Sequence, residues 1–365
     1  MPAAMAETAS DNESGCATGV ASDYRARWPR IGKLRHSILE MKGLSKDSAT
    51  ILEVGEEAVG QRVDNFLLRV CKGVPKSHLY RILRSGEVRV NKGRVGPDYR
   101  LGMGDAVRLP PIRIAAQPPI ATPPPRVFAI AFEDDALLVV DKPAGLAVHG
   151  GSGVAFGVIE QMRRQRPELR FIELVHRLDR ETSGLLLLAK KRSALTRLQD
   201  AFRAGMVHKR YLALVLGRWH NSRQHVRLPL LKYLNAEGER RVEVSAEGKV
   251  AHSIVRLLGR WENFSLLEVE LKTGRTHQIR VHLTHLGFPL AGDDKYGDFS
   301  TNRALQKAGL KRMFLHAQAL RFAHPLSGEL MSLVAPLPAE LREFIARLDD
   351  NEKLDFGRRD RLESL

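Results

Sequence analysis

Asp179 is the residue of this sequence best placed to do chemistry. It stands in the string Leu174-Val175-His176-Arg177-Leu178-Asp179-Arg180-Glu181-Thr182-Ser183-Gly184, a polar loop between a short apolar segment and the run Leu185 to Ala189. Strands on either side can hold a carboxylate rigid while the loop leaves it accessible, which suits a nucleophile or a general base. An ordinary turn has the same composition, since Asp, Ser and Gly are common turn residues. A guanidinium stands on a second rigid element: Thr276 is predicted to cap a helix on which Ile279, Leu283 and Leu286 form one stripe, with Gly287 as its stop. Arg280 projects from that helix, into a site or into a surface phosphate contact or structural salt bridge. Arg275, just ahead of it, suits a phosphate, because a helix N-terminus favours anions. Tyr211 lies in an alternating segment whose Val207, Lys209, Ala213 and Val215 share its face, a period that by itself predicts a core tyrosine.

Other chemistries find less support. His176, His277, His282 and His285 invite a metal, but they form no H-E-x-x-H pattern and have no cysteine pair, so structural or RNA-contact roles are expected. No complete glycine-rich dinucleotide fingerprint or P-loop occurs in a strand-to-helix context, and neither a metal nor a cofactor is predicted. A nuclease or glycosylase would want paired metal carboxylates or a hydrolytic pair, and none is evident. Cys16 and Cys71 are too far apart to suggest a disulfide framework, which fits a reducing cytoplasm. No apolar run approaches the roughly 18 to 20 residues of a membrane span, and no secretory signal is present. A monomer without a membrane partner is expected.

The elements that must hold these residues fall into segments. Residues 1–50 are rich in Ala, Ser and Gly without sustained periodicity and are expected to form a disordered extension, with Met41 as an alternative start. Residues 58–113 change character. Val63, Phe66, Leu67 and Val70 have helical spacing; Ser77 is predicted to cap a second helix with Leu79, Ile82 and Leu83; short strands follow around the turn Asn91-Lys92-Gly93. From 61 to 113 there are twelve Lys and Arg against four Asp and Glu, half of the chain's net +16 in about a seventh of its length. Such an excess suits a polyanion held by phosphate neutralisation. The proline-rich stretch 114–126 predicts a semi-rigid linker. Residues 127–348 alternate strand-like runs with a few helices, which predicts an α+β domain with a mixed or antiparallel β-sheet, and 349–365 form a tail.

Several strings resemble known families. GQRVDNFLL, GVPKSHLYRILRSGEVRVNKGRV and YRLGMGDAVRLPP look like the alpha-L RNA-binding motif of the S-four type, which implies RNA contacts from Lys76, Arg81, Arg84, Arg89, Lys92 and Arg94. HRLDRETSGL closely resembles the signature loop of the RluA-type pseudouridine synthases. DKPAGLAVH at 141–149, KRYLALV at 209–215 and TGRTHQIRVHL at 273–283 are similar to further motifs of that family, in the right order. The resemblance implies an isomerase acting on uridines of 23S large-subunit ribosomal RNA without a cofactor. Asp179 would be its catalytic aspartate, Arg280 its ion-pair partner and Tyr211 a stacking residue that helps remove the carbon 5 proton. Arg177 would enter the space left by the flipped base, and His176, Arg275 and His277 would contact RNA. An adjacent guanidinium favours the charged carboxylate that either route needs: attack on the anomeric carbon, or removal of the ribose 2′ proton to give a glycal. The competing reading is a noncatalytic ribosomal or assembly protein that uses both segments only to bind.

Overall fold

The computed structural model describes residues 47–112, 126–151 and 156–351. The expectations for the extension up to residue 46, the choice of Met1 or Met41, the linker between 113 and 125 and the tail from 352 lie outside the described residues.

The basic segment forms β1 (Thr50–Glu53), α1 (Val63–Val70), α2 (Lys76–Arg84), β2 (Arg89–Val90), β3 (Gly93–Arg94) and β4 (Ala106–Leu109). Its antiparallel sheet has the order β1-β4-β2-β3. The helical spacings are real: Val63, Phe66 and Leu67 meet Leu79, Ile82 and Leu83, and both sets bury Val88, Val90, Val107 and Leu109. Asn91 and Lys92 take φ of 49° and 68°, the paired positive values of a tight hairpin turn. Two sequence expectations need correction. The unit begins ahead of residue 58, because β1 pairs with β4 from Thr50↔Leu109 to Glu53↔Ala106; four half-exposed residues carry too little pattern to be seen in the sequence. Ser77 does not cap α2, which starts at Lys76 directly after Pro75 with no side-chain cap, so Ser77 falls inside the first turn.

The larger unit runs through β5 (Ala129–Glu133), β6 (Leu137–Lys142), α3 (Val158–Gln165), β7 (Glu173–Leu174), β8 (Ser183–Ala189), α4 (Arg192–Arg203), β9 (His208–Leu216) and β10 (Arg223–Val226). It continues with β11 (Leu230–Leu234), β12 (Arg240–Val244), β13 (Ser253–Arg260), β14 (Phe264–Leu271), α5 (Gln278–His285), α6 (Phe299–Lys307), β15 (Leu315–Ala323), β16 (Leu330–Val334) and α7 (Ala339–Asn351). The last helix continues past residue 348, the boundary read from the sequence. The main sheet has the order β10-β13-β14-β9-β15-β8-β6-β5, with β16 also on β15 and β7 on β8; β11 and β12 form a separate hairpin.

The sheet is mixed because one joint is parallel: β15 meets β8 through His316↔Ser183 and Ala317↔Gly184. Gly184 has φ +107°, and a Cβ there would come within 2.2 Å of the Ala317 carbonyl oxygen. Only glycine allows that approach. β8 explains why Leu185 to Leu188 do not alternate with polar residues. Leu186 and Leu188 enter one core while Leu185 and Leu187 enter the core on the opposite face, as expected of a strand covered on both sides.

Candidate active site

The loop between β7 and β8, the edge of β9 and the turn leading into α5 converge on one cleft of about 470 Å³, lined among others by Asp179, Tyr211, Arg275, His277 and Arg280. That volume suits one small ligand. The loop is braced from below. Leu178 is buried in the core beside Tyr211, and the Thr182 N–H donates to the Asp179 carbonyl at 3.2 Å. Lys142, fully buried at the end of β6, donates to the carbonyls of Pro143, Leu146 and Arg180 at 2.8, 2.9 and 3.0 Å. Burial, aided by Arg312, pushes its ammonium down to about 7, while three carbonyl acceptors hold the proton in place. Lys142 thereby ties the DKPAGL turn to the residue after Asp179, a role the sequence did not reveal.

Arg280 leaves α5 into the cleft and is 6% exposed. Its Nη1 stands 3.7 Å from Asp179 Oδ2, so the predicted ion pair is present. Its closer partner is Asp293: Nε and Nη2 make a bidentate pair at 2.8 and 2.7 Å. The Asp293 carboxylate also accepts the backbone N–H groups of Lys295 and Tyr296 at 2.9 and 3.1 Å. Burial alone would raise the Asp293 carboxyl, but the Arg280 hydrogen bonds and charge outweigh it and hold it below the usual range. The guanidinium also lies over the Tyr296 ring, 5.0 Å from its centroid. Asp293 and Tyr296 escaped the sequence reading.

The cap of α5 is a correction. The helix starts at Gln278, and its N-cap is His277 in the left-handed region with φ 52° and ψ 23°, not Thr276. The turn's polar groups are served by Gln278 instead: its Oε1 accepts from Thr273 Oγ1 at 2.8 Å and from the Arg275 N–H at 3.0 Å, and its Nε2 donates to Ser253 Oγ at 2.9 Å. Left-handed backbone at a non-glycine residue costs about 1 kcal/mol or more and persists only where surrounding contacts impose it. Here it brings the His277 ring to the cleft, with Nε2 4.0 Å from Asp179 Oδ1.

Tyr211 is 7% exposed and lines the cleft. Burial, and after it the charge of Asp179, push its phenol up, so it stays neutral. Arg177 is exposed at the rim, and Arg275 is exposed with its Nε donating to the Val250 carbonyl at 3.0 Å. His176, expected to contact RNA, lines the cleft and is also held from within. Its Nε2 accepts the Leu187 N–H at 3.0 Å and the imidazole stacks on Phe202 at 5.1 Å. Burial and the nearby Lys209 push it down to about 4, so it braces the loop as a neutral ring.

On the small unit Lys76, Arg81, Arg84, Arg89, Lys92 and Arg94 are all exposed. Several are tethered: Arg84 Nε donates to the Tyr80 carbonyl, Arg89 Nε to that of Gly86 and Arg94 Nη2 to that of Ser85. These bonds orient each guanidinium without using all five of its donors.

Comparisons with known proteins agree with this architecture. The sequence pattern of RNA pseudouridylate synthase matches residues 136–285 and that of the S4 domain residues 61–107. The chain is 52% identical over 307 residues to the ribosomal large subunit pseudouridine synthase C of Yersinia pestis, covering 82% of this chain and 96% of that one. The chain belongs to the RNA pseudouridylate synthase family. The protein of the same description from Escherichia coli K12 is 50% identical over 309 residues, covering 82% and 97%. The solved structure of human RNA pseudouridylate synthase domain containing 1 superposes with a TM-score of 0.52 at 26% identity, over 65% of this chain and 94% of that one. The RNA pseudouridylate synthase match contains Asp179, Tyr211, His277 and Arg280 but ends before Asp293 and Tyr296. The S4 match contains Lys76, Arg81, Arg84, Arg89, Lys92 and Arg94.

Reversing Arg81 and Arg84 together (Arg81→Glu, Arg84→Glu) is expected to weaken RNA binding and to flatten its dependence on log salt by roughly 1.5 to 2 units, as two lost phosphate contacts require. Filter binding at a series of salt concentrations reads the slope; an unchanged slope removes this face from the interface.

Proposed function

We propose that this pseudouridine synthase isomerises uridines of 23S large-subunit ribosomal RNA, with Asp179, Tyr211 and Arg280 as its catalytic residues. The observation that carries the reading is the cleft in which the Asp179 carboxylate faces Arg280 at 3.7 Å beside a buried Tyr211. The relatives described as ribosomal large subunit pseudouridine synthase C favour that RNA. In the reaction the bond from uracil nitrogen 1 to the ribose breaks, the base turns, and carbon 5 bonds to the same ribose carbon. Carbon 5 gives up a proton and nitrogen 1 gains one, so no redox partner or nucleotide is consumed. Asp179 acts either as nucleophile on the anomeric carbon or as base on the 2′ position. Arg280, anchored by Asp293, keeps a fixed positive charge beside it. Tyr211 offers its ring face to the displaced uracil, and as a neutral phenol it must release its own proton if it takes the one from carbon 5.

Arg177 fills the gap left by the flipped base, while Arg275 and the exposed cations of the small unit hold the backbone. The enzyme works as a cytoplasmic monomer; among the described residues no helix is long and apolar enough to cross a membrane. Incubating the purified protein with protein-free large-subunit and small-subunit RNA, followed by mapping of carbon-linked uridines, tests the assignment. Product confined to a few positions of the large-subunit RNA is expected. Product only in another RNA overturns the substrate.

A further inference from the structure

A hydrogen-bond chain that the reaction outlined above does not use ends at His277 on the cleft wall. The backbone N–H of Val242, on β12, donates to the Tyr296 hydroxyl oxygen at 3.0 Å. The same hydroxyl lies 2.8 Å from His277 Nδ1, and the two rings meet edge to face at 5.5 Å. A phenol has a single proton to give. With Val242 already donating to that oxygen, the arrangement that satisfies every partner directs the Tyr296 O–H to His277 Nδ1. A proton on Nδ1 instead would aim a second donor at the phenol oxygen beside Val242 and leave the Tyr296 O–H without an acceptor among the described residues. The imidazole is neutral, because burial pushes it down to about 4 against the opposing pull of Asp179. A neutral ring that accepts at Nδ1 carries its proton on Nε2, the nitrogen 4.0 Å from Asp179 Oδ1.

We infer that Tyr296 locks His277 in the Nε2–H tautomer, and that His277 presents this N–H to Asp179, so both are positioning residues for the catalytic carboxylate. The inference rests on the reading of Asp179 given above. Asp179 has a different donor on each side: Oδ2 faces Arg280 Nη1 at 3.7 Å and Oδ1 faces His277 at 4.0 Å. Neither distance is a formed hydrogen bond, so both oxygens stay available for chemistry, and such contacts tighten when substrate closes the site. The opposite tautomer would set a nitrogen lone pair against Oδ1 and turn the carboxylate away. The left-handed backbone of His277 is explained by the same demand, since it carries the ring between Tyr296 and Asp179. Both neighbours of Asp179 also depend on one loop: Asp293 clamps Arg280 and holds the Tyr296 backbone N–H at 3.1 Å. Because Val242 belongs to the β11–β12 hairpin, the seating of that hairpin bears on the tautomer.

Ring nitrogen NMR of full-length protein labelled at histidine tests the lock. In the unaltered chain His277 is expected to show a protonated Nε2 and an unprotonated Nδ1, and Tyr296→Phe is expected to give a mixture. In single-turnover reactions Tyr296→Phe should slow the chemical step about tenfold, the equivalent of ~1.4 kcal/mol, with RNA affinity unchanged. His277→Gln, whose amide can replace the N–H, should retain more of the rate than His277→Leu. A proton found on Nδ1 in the unaltered chain, or an unimpaired Tyr296→Phe, overturns the inference. If Asp179→Asn keeps full activity, the reading of Asp179 fails instead, an outcome the NMR result does not share.

Discussion

Asp179→Asn is expected to bind RNA as tightly as the unaltered enzyme and to form no detectable pseudouridine. The substitution keeps the shape of the side chain and removes the charge, and with it any nucleophile or base. A positioned proton-transfer group alone is worth about 10² to 10⁴ in rate, so the loss should be at least about 10²-fold by either route. The fold should tolerate it. Among the described residues no hydrogen bond reaches the Asp179 carboxylate, whose partners Arg280 and His277 stand at 3.7 and 4.0 Å, so no buried partner is left unsatisfied. Arg280 keeps its bidentate pair with Asp293. Removing a negative charge from a cleft lined by Arg275 and Arg280 does not repel phosphate. Chemical mapping of carbon-linked uridine alongside filter binding measures both halves of the expectation. Turnover at even a tenth of the normal rate would rule out Asp179 as the reacting carboxylate.

Asp293→Ala is expected to be the most destabilising single change at the site. Asp293 is 1% exposed and balances the charge of Arg280, itself 6% exposed. Taking away one member of a buried pair leaves the other charge uncompensated and typically costs about 3 to 5 kcal/mol. For a unit of this size that lowers the unfolding midpoint by roughly 6 to 20 °C. Two backbone N–H groups, of Lys295 and Tyr296, lose their acceptor at the same time. Asp293→Asn should be milder, since an amide oxygen still accepts those two while the charge is lost. Thermal unfolding of the three proteins gives the ranking. A midpoint for Asp293→Ala within 2 °C of the unaltered chain, a shift too small for about 1 kcal/mol, would mean that water replaces the carboxylate and that the pair is not truly sealed.

The asymmetry between Asp179 and Asp293 also shows what the sequence could convey. Asp179 was recognisable because its whole loop is a contiguous string, and local order carries such information. Period alone made Tyr211 a core residue and set Arg280 on a helix, and only the resemblance of their strings to family motifs set both beside Asp179. Asp293 lies in Ala291-Gly292-Asp293-Asp294-Lys295, where it reads as one of two turn aspartates. Only the fold decides that Asp293 is buried on Arg280 while Asp294 is exposed. Lys142 ends a strand run and looks like a surface lysine, yet its acceptors include the Arg180 carbonyl, thirty-eight positions away. The misplaced caps at Ser77 and Thr276 share one cause: a cap depends on the direction from which the chain enters the helix, and composition does not encode that direction. Lys76, Arg81, Arg84, Arg89, Lys92 and Arg94 could be read as surface cations because they lie in a short segment with clear local order.

The place of β15 in the sheet also constrains how the enzyme comes into being. Asp179 belongs to the half formed by β5, β6 and β8, whereas Tyr211 and the strand leading to Arg280 belong to the half formed by β9, β10, β13 and β14; β15 lies between the halves. Nothing in the ladder joins the acid to its partners until Leu315–Ala323 has been inserted. Pairing so distant in the chain is slow to form. During translation the joint between the halves therefore waits for that strand, and a polypeptide halted short of it holds Asp179, Tyr211 and Arg280 without the seam that connects them.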